Sequence, residues 1–443
     1  MGQTLGRKLI STRREKLAEL ARMEPKRALT TVAHHIDLAW LMEAWRLTRK
    51  DGASGIDGVT AAQYEAELEA NLASLLERFK SGRYRAPAVR RVYIPKADGG
   101  QRPLGIPTLE DKVLQRAVLM ALEPIYEQDF LDCSYGFRPG RSAHQALEAL
   151  WRGLMDLGGG WIIDLDIRSY FDSVDHAELR QLFEHRVRDG VIVRTVGKWL
   201  NAGVMEDGAV SHTEWGTPQG GVISPLLSNL YLHEVLDVWF EREVRPRLRG
   251  RVLMVRYADD AVLAFECEED ARRVLDVLPK RFGKYGLQLH PDKTRLVAFR
   301  PPDEGPRGGS PAGSFSFLGF THFWKRSRKG RWMVARKTAG AKFGAALKRT
   351  GAWCRKQRHH PMAEQHAALS RKLQGHYAYY GITGNSRALS NFRYEVERRW
   401  RYWLSRRSAA GVINWTTFSA MLRHYPLPPA RVIHSVYRRA ATA

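Results

Sequence analysis

Apolar and polar positions recur with two different periods along the 443-residue chain, and the changes of period divide it into elements. Residues 1–50 are helical in pattern and basic at the start (Arg7, Lys8, Arg13, Arg14, Lys16), and the turn-rich Gly52–Gly58 ends them. Leu68, Leu72, Leu75 and Leu76 share one stripe of a helix expected over 61–80. Within Arg91–Pro107, two strands flank the turn Asp98-Gly99-Gly100. Helices are expected over Leu109–Tyr126 and Ser142–Leu157. Trp161, Ile163, Leu165 and Ile167 alternate onto one face of a strand, which puts Asp164 and Asp166 together on the other. Asp172 or Asp175 then opens a helix, and Asp175-His176-Ala177-Glu178 has capping-box character. A glycine-rich loop, Gly216–Gly221, enters a helix that Ser224 caps and Pro225 begins, running on through Leu226, Leu230 and Val235. Val252–Phe265 reads as two apolar strands with Asp259 and Asp260 at the turn between them. Further on come a helix from Glu268 to Tyr285, a strand Leu287–Leu289, a Pro/Gly-rich loop over 301–313 and a strand Phe315–Phe320. Four helices are expected last: Lys337–Arg358, Met362–Gly381, Ser386–Arg407 and Trp415–His424.

Charge changes this picture through its location. From Thr321 onward there are 26 Lys/Arg against three Asp/Glu, whereas the first 320 residues hold 45 against 44. The basic quarter also carries Trp324, Trp332, Trp353, Tyr379, Trp403 and Trp415. Cations interleaved with aromatics bind phosphate backbones and stack on bases, so this stretch is expected to hold nucleic acid. Cys133, Cys267 and Cys354 are far apart, which argues against a disulfide framework or a Cys-ligated zinc module. No run of 18 apolar residues and no apolar signal core occurs, so the expectation is a soluble, cytoplasmic protein with no membrane association.

Candidate chemistry sits at the polar interruptions. Adjacent carboxylates at the tip of a buried hairpin are costly unless a cation is there, and oxygen-only ligands suit Mg²⁺. Lys96 and Arg102 bracket the first hairpin turn and can converge on one anion. The glycines near Gln219 let a base pair approach the backbone closely, and a mere connector would leave Gln219 unexplained. Spacing alone does not choose between Asp164 and Asp166 as a metal ligand.

Tyr257-Ala258-Asp259-Asp260 resembles the catalytic hairpin of reverse transcriptases. With it, in order, stand Gly55-Ile56-Asp57-Gly58, Ile94–Pro107, Ser134–Pro139, Asp166 with Phe171-Asp172, Pro218-Gln219-Gly220 with Ile223-Ser224-Pro225, Lys293-Thr294, Phe317–Phe320 and Gly375–Tyr380. Over almost its whole length the chain resembles bacterial group II intron-encoded reverse transcriptase/maturases.

The resemblance implies an α+β, right-hand polymerase. It would comprise an N-terminal helical extension (1–60), fingers and a palm with a small antiparallel sheet (61–320), an all-helical thumb or maturase X region (321–410) and a short basic end (411–443). It selects Asp166, which precedes Ile167 and lies five residues before Phe171, to join Asp259 and Asp260 as catalytic ligands of two Mg²⁺ ions, with Mn²⁺ as a substitute. It places Lys96, Arg102, Ile167, Gln219 and Lys293 around the incoming nucleotide, with Phe171 as a steric gate against a ribose 2′-OH. Arg336, Lys337, Lys348, Arg349, Tyr379, Arg398 and Arg399 would contact nucleic acid. The implied partners are template RNA, intron RNA, an RNA/DNA duplex with a primer 3′-OH, and dNTPs; a homodimer is compatible with them. The implied function is RNA-directed DNA synthesis with assistance to intron splicing and mobility. The rival readings are an RNA-binding splicing cofactor with an idle polymerase, and an intron-derived defence or CRISPR-associated reverse transcriptase. The His-Asn-His endonuclease module that many relatives carry is not recognisable here, so target-site cleavage is not expected.

Overall fold

The computed structural model describes residues 2–95, 100–206, 209–211, 220–302, 313–407 and 411–435. In chain order, α1 (Gly2–Met23), α2 (Leu38–Leu47), α3 (Ala61–Ala66) and α4 (Leu68–Lys80) precede a hairpin of β1 (Val89–Pro95) and β2 (Gln101–Ile106). Next are α5 (Leu109–Tyr126), α6 (Ala143–Leu157), β3 (Gly160–Leu165), α7 (Tyr170–Ser173), α8 (His176–Glu184) and α9 (Gly190–Leu200). Strands β4 (Val204–Glu206) and β5 (Ala209–Ser211) lead to α10 (Ser224–Leu232), the hairpin β6 (Val252–Tyr257) and β7 (Asp260–Phe265), α11 (Glu268–Lys284) and β8 (Arg295–Phe299). The remainder is β9 (Phe315–Phe317), β10 (Phe320–Arg326), β11 (Trp332–Thr338), α12 (Gly340–Gln357), α13 (Met362–Tyr380), α14 (Ser386–Leu404) and α15 (Trp415–His424). Mixed helix with small, largely antiparallel sheets is the α+β class expected, but the stretch 321–410, expected to be all helical, opens with the strands β10 and β11.

The chain folds into two compact units, Met1–Ala146 with Ile163–Leu296, and Leu147–Ile162 with Val297–Ala443. The first is built on α5, whose apolar residues are buried on nearly every side. Trp40 of α2 is fully buried and its indole N–H donates to Ala117 O at 2.9 Å. Asp189 caps α9 by accepting from Val191 N and Ile192 N, and its other oxygen accepts from Val32 N and Ala33 N at 2.8 and 2.7 Å. One carboxylate thus closes a helix end and ties it to the N-terminal segment. Two sheets, ordered β2-β1-β4-β5 and β6-β7-β3-β8, complete the scaffold.

The second unit holds the sheet β11-β10-β9 and a helical core centred on Trp400, with Leu369, Leu373, Leu389, Val396 and Phe418. Trp400 is wholly buried and donates to Gln365 Oε1 at 3.0 Å. Truncating such a side chain to alanine costs about 3–5 kcal/mol.

Several local expectations are corrected. The helix expected over 61–80 is two helices, broken at Glu67 (φ −126°), where the Asn71 side chain donates to Tyr64 O and replaces a backbone bond. Thr60 and Gln63 form the full capping box at its start. Ser224 is not the cap of α10 but its first residue; the cap position is Ile223. Leu287–Leu289 forms only a single bridge, Leu289 to Ile167, rather than a strand. The expected strand Phe315–Phe320 is reversed at Leu318-Gly319, both left-handed (φ 49° and 79°), so that Phe317 pairs with Phe320 across the turn. The helix expected from Lys337 begins at Gly340, because Lys337 and Thr338 belong to β11, opposite Thr321 and Phe320.

Candidate active site

The acidic hairpin closes through two residues. Tyr257 pairs with Asp260, leaving Ala258 and Asp259 as the turn, and Ala258 adopts a left-handed φ of 56°. That conformation is strained for a residue with a Cβ and persists only where neighbours hold it. Two devices do so. The loop after Cys133 lies along β6, with Arg256 N donating to Cys133 O and Tyr135 N to Arg256 O. Its Gly136 approaches so closely that a Cβ there would lie 2.3 Å from Ala258 N. From inside, the buried guanidinium of Arg256 donates through Nη1 to Ala258 O and to Asn229 Oδ1, both at 3.0 Å. Asn229 Nδ2 in turn donates to Gly136 O at 2.6 Å. Asp237 completes the fork from the other side of Arg256.

This turn presents Asp259 half-buried and Asp260 exposed. Burial pushes the Asp259 carboxyl upward and the nearby Asp166 carboxylate adds to that, while Arg102 on β2 opposes it. Asp166 acts on Asp259 as a like charge, so the end of β3 and the turn lie within electrostatic reach of each other. Asp166 lies one residue beyond β3. Its carbonyl accepts from His290 N at 2.8 Å and from Thr294 Oγ1 at 3.1 Å, and Lys293 Nζ is 3.5 Å from its carboxylate. Asp164 turns to a different partner, Arg295, at 3.4 Å. The two aspartates that strand alternation left equivalent therefore differ: one pairs with Arg295, the other stands beside Asp259.

Ile167 is buried. Phe171, on the short helix α7, is half-buried with its ring edge against Tyr170 at 5.3 Å, whereas Tyr170 is the core residue, its hydroxyl donating to Ser228 O. Arg102 is exposed, opposite Ile94 in the hairpin. Lys96 and Gln219 lie outside the described residues. Just after Gln219, Gly220 (φ 117°) presses on the first hairpin: a Cβ there would be 2.5 Å from Gly105 O. Gly220 thus lets the loop pass close against the backbone of β2.

The start of α10 is capped from a distance. Gln115 Oε1 accepts from Val222 N and Ile223 N at 2.7 and 3.3 Å, and its Nε2 donates to Asp111 Oδ2 at 3.0 Å. Asp111 is fully buried and also accepts from Tyr84 and Trp199; desolvation pushes its carboxyl up to about 6. Sequence reading missed Arg256, Asn229, Asp237, Gln115 and Asp111. The one available signal was Arg256 itself, a lone cation in an otherwise apolar strand, which requires a buried partner.

In the second unit, Lys337, Lys348 and Arg349 are exposed. Arg336 is buried, Tyr379 donates to Leu318 O, and Arg398 and Arg399 both pair with Glu395. Many aromatics there already carry a cation: Lys337 over Phe323, Lys372 over Trp353, Arg401 over Trp415 and Arg406 over Tyr402, at 3.6–5.3 Å. The interleaving of basic and aromatic residues here builds internal cation–π pairs.

Among the described residues, no group of three or more His, Cys, Asp or Glu side chains gathers as a metal site. The donor set at Asp166 and Asp259 is all oxygen, and Asp259, made costlier to ionise by burial and by the nearby Asp166 carboxylate, suits a hard divalent ion completed by water and phosphate oxygens. No described helix is long and apolar enough to cross a membrane.

Residues 94–322 match the reverse transcriptase (RNA-dependent DNA polymerase) family. Protein YkfC of Escherichia coli (strain K12) is 36% identical over 366 residues, which cover 74% of this chain and 91% of YkfC. The group II intron-encoded protein LtrA of Lactococcus lactis subsp. cremoris is 38% identical over 225 residues, 48% of this chain and 37% of LtrA. Nuclear intron maturase 2, mitochondrial, of Arabidopsis thaliana is 30% identical over 180 residues, 32% of this chain and 24% of that protein. The β3 end that carries Asp166 and the β6–β7 turn that carries Asp259 both lie inside the matched region, and the chain belongs to the reverse transcriptase family.

Proposed function

We propose that the chain copies RNA into DNA at the Asp166–Asp259 pair and, like its intron-encoded relatives, binds an intron RNA and assists its splicing and mobility. The observation that carries the catalytic part is the like-charge action of Asp166, at the end of β3, on Asp259 in the β6–β7 turn, with Arg102 and Lys293 as neighbouring cations. Reverse transcriptases use divalent metal ions; here Asp166 and Asp259, with Asp260 beside them, would hold two Mg²⁺ ions, with Mn²⁺ as substitute. When bound, such ions lower the pKa of a primer 3′-OH and neutralise a leaving pyrophosphate. Lys96 and Arg102 would orient the triphosphate of a dNTP, with Gln219 and Ile167 bordering the nucleotide and Lys293 near the pyrophosphate. Phe171 would close the space a 2′-OH needs. Lys337, Lys348 and Arg349, exposed in the second unit, would hold the RNA/DNA duplex by charge. The names of LtrA and of the nuclear intron maturase support the splicing role.

Asp259→Asn tests the reading, because it keeps shape and removes one charge. Primer extension on an RNA template should fall to background while RNA affinity stays near that of the unaltered protein. Extension within a few-fold of the unaltered rate would remove Asp259 from the site.

A further inference from the structure

The hairpin of β10 and β11 ends in a hydrogen-bonded turn. Ser327 N donates to Arg331 O, Gly330 N to Ser327 O, Arg331 N to Ser327 Oγ, and Gly330 takes the left-handed φ of 73° that the reversal needs. Beside this turn lies a cavity of about 730 Å³ within the second unit. Lys325, Arg326, Arg328, Lys329, Arg331 and Arg336 line it, and no Asp or Glu among the described residues does. Five of these cations are exposed; Arg336 is buried, its Nη1 donating to Leu147 O at 3.0 Å. Like charges gathered around one cavity repel one another; Glu148 offsets this at Arg336, and an anionic partner relieves what remains at the tip.

The rings beside the cavity are committed. Trp151 lies under Arg336 at 5.8 Å and spends its N–H on Val334 O, and Phe323 lies under Lys337 at 5.1 Å. Stacking platforms for bases are therefore engaged, while the guanidinium and ammonium heads at the tip remain exposed. Exposed cationic heads on flexible stems, with the neighbouring rings engaged, match a chain of phosphates.

We propose that the cavity at the β10–β11 tip docks the sugar-phosphate backbone of RNA without regard to sequence. The inference rests on the RNA-binding part of the function proposed above and adds Arg328, Lys329 and Arg331 to Arg336, the one lining residue already expected to contact nucleic acid. Arg328, Lys329 and Arg331 supply the outer contacts, and Arg336 fixes the inner wall.

The test uses the full chain with Arg328→Gln, Lys329→Gln and Arg331→Gln combined, and a charge-keeping control, Arg328→Lys with Arg331→Lys. Binding of a stem–loop RNA and of a DNA stem–loop of the same sequence is measured against salt. Removing three phosphate contacts should make the log–log salt slope shallower by about 2, from roughly 0.7–0.9 per contact. The loss should be equal for stem–loops of different sequence, and the lysine control should restore the slope. Melting temperature, followed by circular dichroism, checks that the neutral variant is folded. An unchanged slope in a folded neutral variant would overturn the proposal, as would a loss confined to one sequence. Competition by inorganic phosphate beyond that of chloride at matched ionic strength, abolished in the neutral variant, would reassign the cavity to a small anion. If the unaltered protein bound neither stem–loop, the function proposed above would fail first. A steep slope in the unaltered protein that the variant retains would sink this inference alone.

Discussion

Arg256 and Asp237 form a bidentate ion pair with neither side chain exposed, Nε to Oδ1 at 2.7 Å and Nη2 to Oδ2 at 2.5 Å. The pair leaves Arg256 Nη1 to hold Asn229 and the carbonyl of Ala258, one residue before Asp259. Asp237→Asn strands the buried guanidinium and should cost about 3–5 kcal/mol in urea unfolding. Replacing both partners by apolar residues, Arg256→Met with Asp237→Leu, should recover most of that stability. Primer extension should stay low in the double variant, because Ala258 O has lost its donor. Recovery of both together would show that the pair serves stability alone.

Gly136 should tolerate no side chain. Alanine would bring its Cβ to 2.3 Å from Ala258 N, so the turn must shift. The expected result for Gly136→Ala is a drop of at least tenfold in the extension rate, on the order of 1.4 kcal/mol or more in the barrier. A filter-binding measurement should find RNA affinity little changed.

Phe171 lies half-buried beside fully packed Tyr170, so its removal should open space at modest cost in stability. Phe171→Val should raise ribonucleotide incorporation relative to deoxyribonucleotide, read as the ratio of the two rates. A fall of both rates at constant ratio would make Phe171 a packing residue.

Asp111 gives a pH signature. Its carboxyl is raised in the folded state to about 6 from an ordinary value near 3.8, so the folded chain binds the proton more tightly. That contribution to stability is present below about pH 4 and is lost as pH rises through about 6, amounting to about 3 kcal/mol at 1.36 kcal/mol per unit. Asp111→Asn cannot titrate, so the difference in melting temperature between the two proteins should change across this range and level off above it. The same variant has one oxygen for the three donors Tyr84, Trp199 and Gln115, and should be less stable at neutral pH. A pH-independent difference would place the proton elsewhere.

Period and composition were enough to determine most elements. The hairpin Val252–Phe265 reads from its apolar arms, α13, α14 and α15 read from their stripes, and Asp175 caps α8 as its position implied. The motifs, as a resemblance, were enough for the family. These features are local, and a few neighbouring residues determine each.

What only the tertiary structure decided is pairing at long range. Asp164 and Asp166 are equivalent on an alternating strand, and they part company only because Arg295 reaches one and the turn at Asp259 reaches the other. Arg256 is an odd cation in its strand until Asp237 and Asn229, nineteen and twenty-seven residues earlier, are folded against it. Gln115 is an ordinary helical residue until the amides of Val222 and Ile223 reach its oxygen. Trp353, Tyr402 and Trp415 in the basic quarter each lie under a cation that the fold brings from the same chain. A buried charge or an unpaired amide must find its partner wherever the chain crossing brings one, and sequence separation carries no record of that choice.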